Sequence, residues 1–129
     1  YDEAKIIHKD LEKYIKGNNN VVIALDMHGS FTEDFIYRVK KNYVDRRFYN
    51  HQQDFIDELA RIDHFQAGNF HHSNGHPMMA RIVLIKSYRL NTLTHETPRD
   101  IALKNPRNRS KIDLMEQGRS VLDSIKNLY

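Results

Sequence analysis

Three short stretches of this chain carry side chains that can move protons or bind a cation. Asp26-Met27-His28-Gly29 follows an apolar run, His64, His71, His72 and His76 fall in a second stretch, and His95-Glu96 form a third. These stretches hold six of the eight histidines, which is more clustering than a purely structural surface needs. An imidazole beside a carboxylate can act as a general base toward a nucleophile. Neutral imidazoles with a carboxylate can also ligate a zinc-like ion whose open position activates water. His28 is the leading catalytic candidate, because Gly29 permits a tight turn that leaves the ring exposed at a strand tip. Asp26, His64, His95 and Glu96 are the candidate binding residues around it. A zinc site would draw on Asp26, His28, His64 and one of His71, His72 or His76. No ligand pair has the fixed helical spacing of a metal motif, so no metal and no other cofactor is expected. His8 and His51 lie on expected helices without a partner, and adjacent His71 and His72 cannot both aim at one point.

The elements that must position these residues follow from periodicity. Ala4, Ile7, Leu11, Tyr14 and Ile15 recur at helical steps over residues 4–15, with acids in front, lysines behind and Gly17 as the stop. Val21 to Leu25 reads as a central strand buried on both faces. Ser30 with Glu33 has capping-box spacing, and Phe35, Ile36, Val39 and Tyr43 predict a second helix. Asn50 and Gln53 repeat the device before Phe55, Ile56 and Leu59, which predict a third. Ile62 to Phe65 is a short candidate strand, and His64 to His76 reads as a loop rich in Gly, Asn, Ser and His. Pro77 fits the first position of a helix with Met79, Ile82, Val83 and Ile85 inside. Arg89 to Thr94 has the β-branched content of a strand, expected parallel to the first. Thr97-Pro98 opens a helix that Asn105-Pro106 closes, and Ser110 with Asp113 starts the last. Strands joined by helical crossovers make an α/β fold, a small three-layer domain with a short, mainly parallel sheet flanked by helices. Three strands are a narrow sheet. Short strands within Arg46 to Tyr49, the remainder of a longer protein, or a partner chain would complete it. The site belongs beyond the carboxyl ends of the strands, where loops converge.

Composition excludes several classes. The 129 residues suit a single domain over 1–129, and a start at Tyr1 rather than Met reads as a fragment of a longer protein. Lys+Arg 20 against Asp+Glu 17 leaves a net charge of +3, too small to imply nucleic acid without a concentrated patch. The densest basic stretch, Arg99 to Lys111, also holds Asp100 and reads as solvated surface. The absence of cysteine rules out disulfides, thiolate zinc sites and a thiol nucleophile in this chain. The longest apolar run is Val21 to Leu25, far short of the about 20 residues a membrane span needs, and no signal-peptide pattern is present. An intracellular, cytosolic protein acting on a protein or peptide is the resulting expectation.

An apolar strand ending in His28-Gly29, a helical crossover of about forty residues and then Phe65-Gln66-Ala67-Gly68 resembles the caspase-like cysteine peptidases. Those enzymes place a histidine before glycine and a cysteine at the next strand tip, often after Gln-Ala or Glu-Ala. The resemblance implies a hydrolase-like domain with His28 and Gly29 at the catalytic position. Gly68, or else Ala67, would stand where the nucleophile should be. The chain would then be an inactive variant or pseudoenzyme, with residue 67 or 68 within roughly 8 Å of the His28 ring. Residues 75–118 are similar instead to ankyrin repeats, through Gly75-His76, Asn91 and Thr97-Pro98-Arg99-Asp100-Ile101-Ala102-Leu103. That alternative implies a protein-binding helical stack without catalysis.

Overall fold

The computed structural model describes residues 2–17, 21–30, 35–64, 68–98 and 109–129. Its elements run α1 (Asp2–Lys16), β1 (Ala24–Ser30), β2 (Phe35–Arg38), α2 (Arg46–Ile62), β3 (Phe70–His72), α3 (Ala80–Tyr88), β4 (Thr92–Pro98) and α4 (Lys111–Leu128). The four strands form one sheet in the order β1-β4-β2-β3. β1 is parallel to β4 and β2 to β3, while β2 meets β4 antiparallel. The fold is therefore α/β with three layers. On one face Phe55, Ile56 and Leu59 of α2 and Val121 of α4 pack on Ile36 and Leu93. On the other, Ile82 and Ile85 of α3 close over Val39. Burying each such side chain contributes about 1.5–3 kcal/mol, so this two-sided core holds the central strands in place. Among the described residues no helix is long and apolar enough to cross a membrane.

The first and last helices match the sequence reading. Gly17 follows α1, and α4 begins with the expected capping box, Ser110 and Asp113 satisfying each other's backbone amides. Several expectations are corrected. Val21 to Leu25 is not a central strand: β1 starts at Ala24, runs to Ser30 and lies at the sheet edge. The interior strands are β4 and β2, and β4 extends past Thr94 through His95, Glu96 and Thr97 to Pro98. Thr97 and Pro98 thus end a strand, and the rest of the expected helix lies outside the described residues.

The helix expected over Phe35 to Tyr43 is instead strand β2 followed by a turn. Its apolar residues do not share one face: Ile36 packs toward α2 and α4, whereas Val39 packs toward α3. Spacings of one, three and four therefore arose from two-sided burial, not from a helical stripe. The third helix starts earlier than expected, with the Asp45 side chain accepting from the Phe48 amide at 2.9 Å. Ile62 closes that helix, so no strand forms at Ile62 to His64, while β3 appears within the expected loop. Pro77 precedes α3 by a turn, and Met79, expected inside, is the exposed N-cap. Residues 75–118 contain β4 where ankyrin repeats require helices, so the ankyrin alternative is overturned.

Candidate functional site

Two neighbouring strands present polar residues at every second position. Asp26 and His28 point to the α3 side of β1, and Thr94 and Glu96 to the same side of β4. The parallel register sets Asp26 beside Thr94 and His28 beside Glu96. One Asp26 carboxylate oxygen lies 2.9 Å from His28 Nε2, and the other accepts from the Thr94 hydroxyl at 3.2 Å. A carboxylate at that nitrogen places the proton on Nε2 and leaves the Nδ1 lone pair free. Nδ1 stands 4.0 Å from Glu96 Oε1. The His28 side chain is 52% exposed while those of Asp26 and Glu96 are 21% and 18% exposed, so the ring is reachable and its supports are sheltered.

The same face continues across β2 and β3. Phe35 is in register with Glu96, and Tyr37 with both Thr94 and His71. The His71 ring lies 4.2 Å from Phe35 and 5.6 Å from Tyr37, centroid to centroid, forming an aromatic wall beside the acids. Arg81 of α3 is fully buried above the Tyr37 ring, at 5.8 Å, with Nη2 donating to the Ser73 carbonyl. Burial lowers its pKa, and the charge of Asp26 opposes that shift.

The candidates from the sequence separate into those that meet and those that do not. Asp26, His28 and Glu96 come together. His95, expected among them, points to the opposite face, since it alternates with Glu96 along β4. It is 1% exposed there, and burial pushes its pKa down to about 4, with Asp63 opposing the shift and Arg109 adding to it. His64 is exposed just past the C-cap of α2, the helix that covers that opposite face. His72 bonds the Tyr49 hydroxyl at 2.9 Å, and His76 Nδ1 accepts from the Met78 amide at 3.2 Å, so these two diverge from His28, while His71 shares its sheet face from β3. The tight turn expected at Gly29 is absent, because β1 continues to Ser30 and Gly29 is not among the glycines with positive φ.

Ala67 lies outside the described residues. Gly68 leads into β3, which β4 and β2 separate from β1, about 14 Å across the sheet at about 4.8 Å per strand. Gly68 has φ +75°, and a side chain there would meet Ala60 of α2 at 3.0 Å, on the far face. Gly68 therefore cannot supply a nucleophile to His28, and the caspase-like pairing does not form at that residue.

Sequence reasoning missed Thr94, Tyr37 and Arg81. The signal for Thr94 was present, since Asp-x-His and Thr-x-Glu are both period-two pairs and both end a strand. Among the described residues no group of three His, Asp or Glu side chains is placed to hold a metal ion. The donor set nevertheless fits a zinc-like cation in kind: a neutral imidazole nitrogen, oriented by a carboxylate on its other nitrogen, faces a second carboxylate. In number it supplies one donor, His28 Nδ1, if Glu96 is left to act as a base, where catalytic zinc sites commonly use three protein ligands.

No protein-family model matches the sequence, and no curated protein matches it. Among solved structures, a metallo-carboxypeptidase from Pseudomonas aeruginosa, in complex with (2-guanidinoethylmercapto)succinic acid, is similar with a TM-score of 0.63 and 19% sequence identity. The match covers 92% of this chain and 35% of that one, so the chain spans about a third of that protein's length. The fold thus resembles that of the matched third of a metallo-carboxypeptidase, and this similarity gives no support to the caspase-like resemblance.

Proposed function

We propose that this chain carries the acid–base part of a metal-assisted peptidase site that hydrolyses amide bonds in a protein or peptide. The observation that supports this most is the His28 ring itself, held through Nε2 by Asp26 with Nδ1 turned toward Glu96. The pair sits at the carboxyl ends of two adjacent parallel strands, the usual place for a ligand in such sheets. The similar solved structure is a metallo-carboxypeptidase, which favours a peptide with a free C-terminus as substrate.

Each residue has a definite part. Glu96 acts as general base, taking a proton from water as its oxygen adds to the peptide carbonyl, and returns that proton to the amine as the C–N bond breaks. Asp26, fixed by Thr94, keeps the proton on Nε2 so that Nδ1 can donate its lone pair. A divalent cation bound at His28 Nδ1 would polarise the carbonyl and acidify the water, and the described residues supply no set of three ligands for it.

Zinc titration by calorimetry and hydrolysis of an N-acylated dipeptide, both on the full chain, test the reading. Glu96→Gln should lower hydrolysis by about 100-fold or more while changing zinc affinity only a few-fold, the pattern of a lost general base. His28→Ala should weaken zinc binding at least tenfold. Full activity in Glu96→Gln, or no zinc binding by the unaltered chain, would contradict it.

A further inference from the structure

The connection between β2 and α2 carries an inference separate from the site at His28. Residues 38–47, Arg-Val-Lys-Lys-Asn-Tyr-Val-Asp-Arg-Arg, hold five basic residues and one acid, a local charge of +4 where the whole chain has +3. The rest of the molecule is therefore slightly net negative. This stretch is denser than Arg99 to Lys111, which spreads five basic residues over 13 positions.

Arg38 is buried, with Nη1 donating to Gln53 Oε1 and the guanidinium 3.7 Å over the Tyr49 ring, so it belongs to the core. Lys40, Lys41, Arg46 and Arg47 are exposed. The Tyr43 amide donates to the Lys40 carbonyl at 2.9 Å, closing a turn, and Asp45 then caps α2, so the two lysines and the two arginines bracket one short connection. A fifth exposed cation arrives from another element: Lys86, in the last turn of α3, has Nζ 5.1 Å from the centre of the Tyr43 ring. Several exposed cations elsewhere are paired, as Lys16 is with Glu12, Arg61 with Glu58 and Lys126 with Asp123. Among the described residues none of these five is in an ion pair. Arg46 and Arg47 moreover stand in the first turn of α2, where the helix dipole disfavours cations and no acid is present. Asp45, the one carboxylate of the connection, is engaged with the Phe48 amide. The positive field reaches the neighbouring edge strand, since the pKa of His72 is lowered first by burial and then by the charges of Arg38 and Lys40. Concentrated charge of one sign repels itself and attracts a partner of the other sign.

We propose that Lys40, Lys41, Arg46, Arg47 and Lys86 form a binding surface for an acidic polypeptide segment with several aspartate or glutamate side chains. β2 runs antiparallel to β4, so this surface lies toward the opposite end of the sheet from Glu96. Arg38 is already three residues beyond Phe35, the register partner of Glu96, which is about 10 Å at about 3.4 Å per residue. A bound segment leaves His28 clear, and the proposal stands whether or not that site hydrolyses peptides. An acidic polypeptide suits the surface better than nucleic acid does. Tyr43, the one aromatic residue of the connection, is half-buried and faced by Lys86, so it offers no platform for base stacking. Two adjacent arginines, by contrast, can hold carboxylates in forked pairs.

Fluorescence anisotropy of the full chain with a labelled, C-terminally amidated peptide of six glutamates flanked by glycines tests the proposal. Binding should weaken at least threefold from about 50 to about 200 mM salt. The fourfold variant Lys40→Gln, Lys41→Gln, Arg46→Gln, Arg47→Gln should bind at least tenfold more weakly with unchanged helical circular dichroism. A control with the same loss of charge, Lys9→Gln, Lys13→Gln, Lys111→Gln, Arg119→Gln, should bind within about twofold of the unaltered chain. If the first variant fails to fold, the amide resonances of the unaltered chain decide: shifts confined to residues 40–47 and Lys86 support the surface, and shifts spread elsewhere overturn it. No binding by the unaltered chain, or an equal loss in both variants, would overturn the proposal. So would a thymidine oligonucleotide of equal charge that binds at least tenfold more tightly through the same residues, because the surface would then be a nucleic-acid site.

Discussion

His95 makes the stability of this protein fall in a defined acid window. The ring is buried beside Leu93 on the α2 and α4 side of β4, and burial pushes its pKa from 6.5 down to about 4. Above pH 6.5 the ring is neutral both folded and unfolded, and it costs nothing extra. Between pH 6.5 and about 4 the unfolded chain binds a proton that the folded chain refuses, so stability declines as pH falls. At about 1.4 kcal/mol per unit, the whole gap amounts to about 3 kcal/mol. Urea unfolding at several pH values, on the parent and on His95→Gln, isolates this contribution, because both chains share every other titrating group. The parent should lose about 3 kcal/mol more than the variant between pH 7 and pH 4. Parallel stability curves would refute the reasoning, as would a native His95 that titrates near 6.5 by nuclear magnetic resonance.

Other expectations follow from local structure. Arg89, which closes α3 at φ 54°, occupies a conformation that glycine adopts without strain, so Arg89→Gly should raise stability by about 0.5–1 kcal/mol in denaturant melts. Ser110→Ala removes the cap of α4 and should cost about 1 kcal/mol by the same assay. Leu93→Ala, in the fully buried centre of the sheet, should cost about 2–5 kcal/mol, and a loss under 1 kcal/mol would mean that β4 is not central. Gly68→Cys should produce no thiol-dependent cleavage, since that side chain would face Ala60.

Sequence reasoning recovered those parts of the fold whose signals are local. The α4 start was legible because Ser110 and Asp113 cap each other within one turn, and α1 because its charges and stripe agree. β2 was not legible: its burial alternates, but its half-exposed face carries Phe35 and Tyr37 and its buried face carries Arg38, so the sequence shows no apolar–polar alternation, and Phe35, Ile36 and Val39 imitate a helical stripe. The site was half legible. Asp26, His28 and Glu96 were selected by type and by lying at strand ends, yet which histidines join them depends on strand order, which periodicity does not encode. His95 precedes Glu96 and still faces the other side, because one residue along a strand reverses the direction of the side chain.

Nitrogen-15 resonance measurements on the His28 ring during zinc addition would test the core of this account most directly. The expected result is a shift of Nδ1 on saturation, with Nε2 remaining protonated and bonded to Asp26. A His28 ring whose two nitrogens do not respond, or one that binds zinc through Nε2, would contradict the arrangement from which the proposed function is drawn.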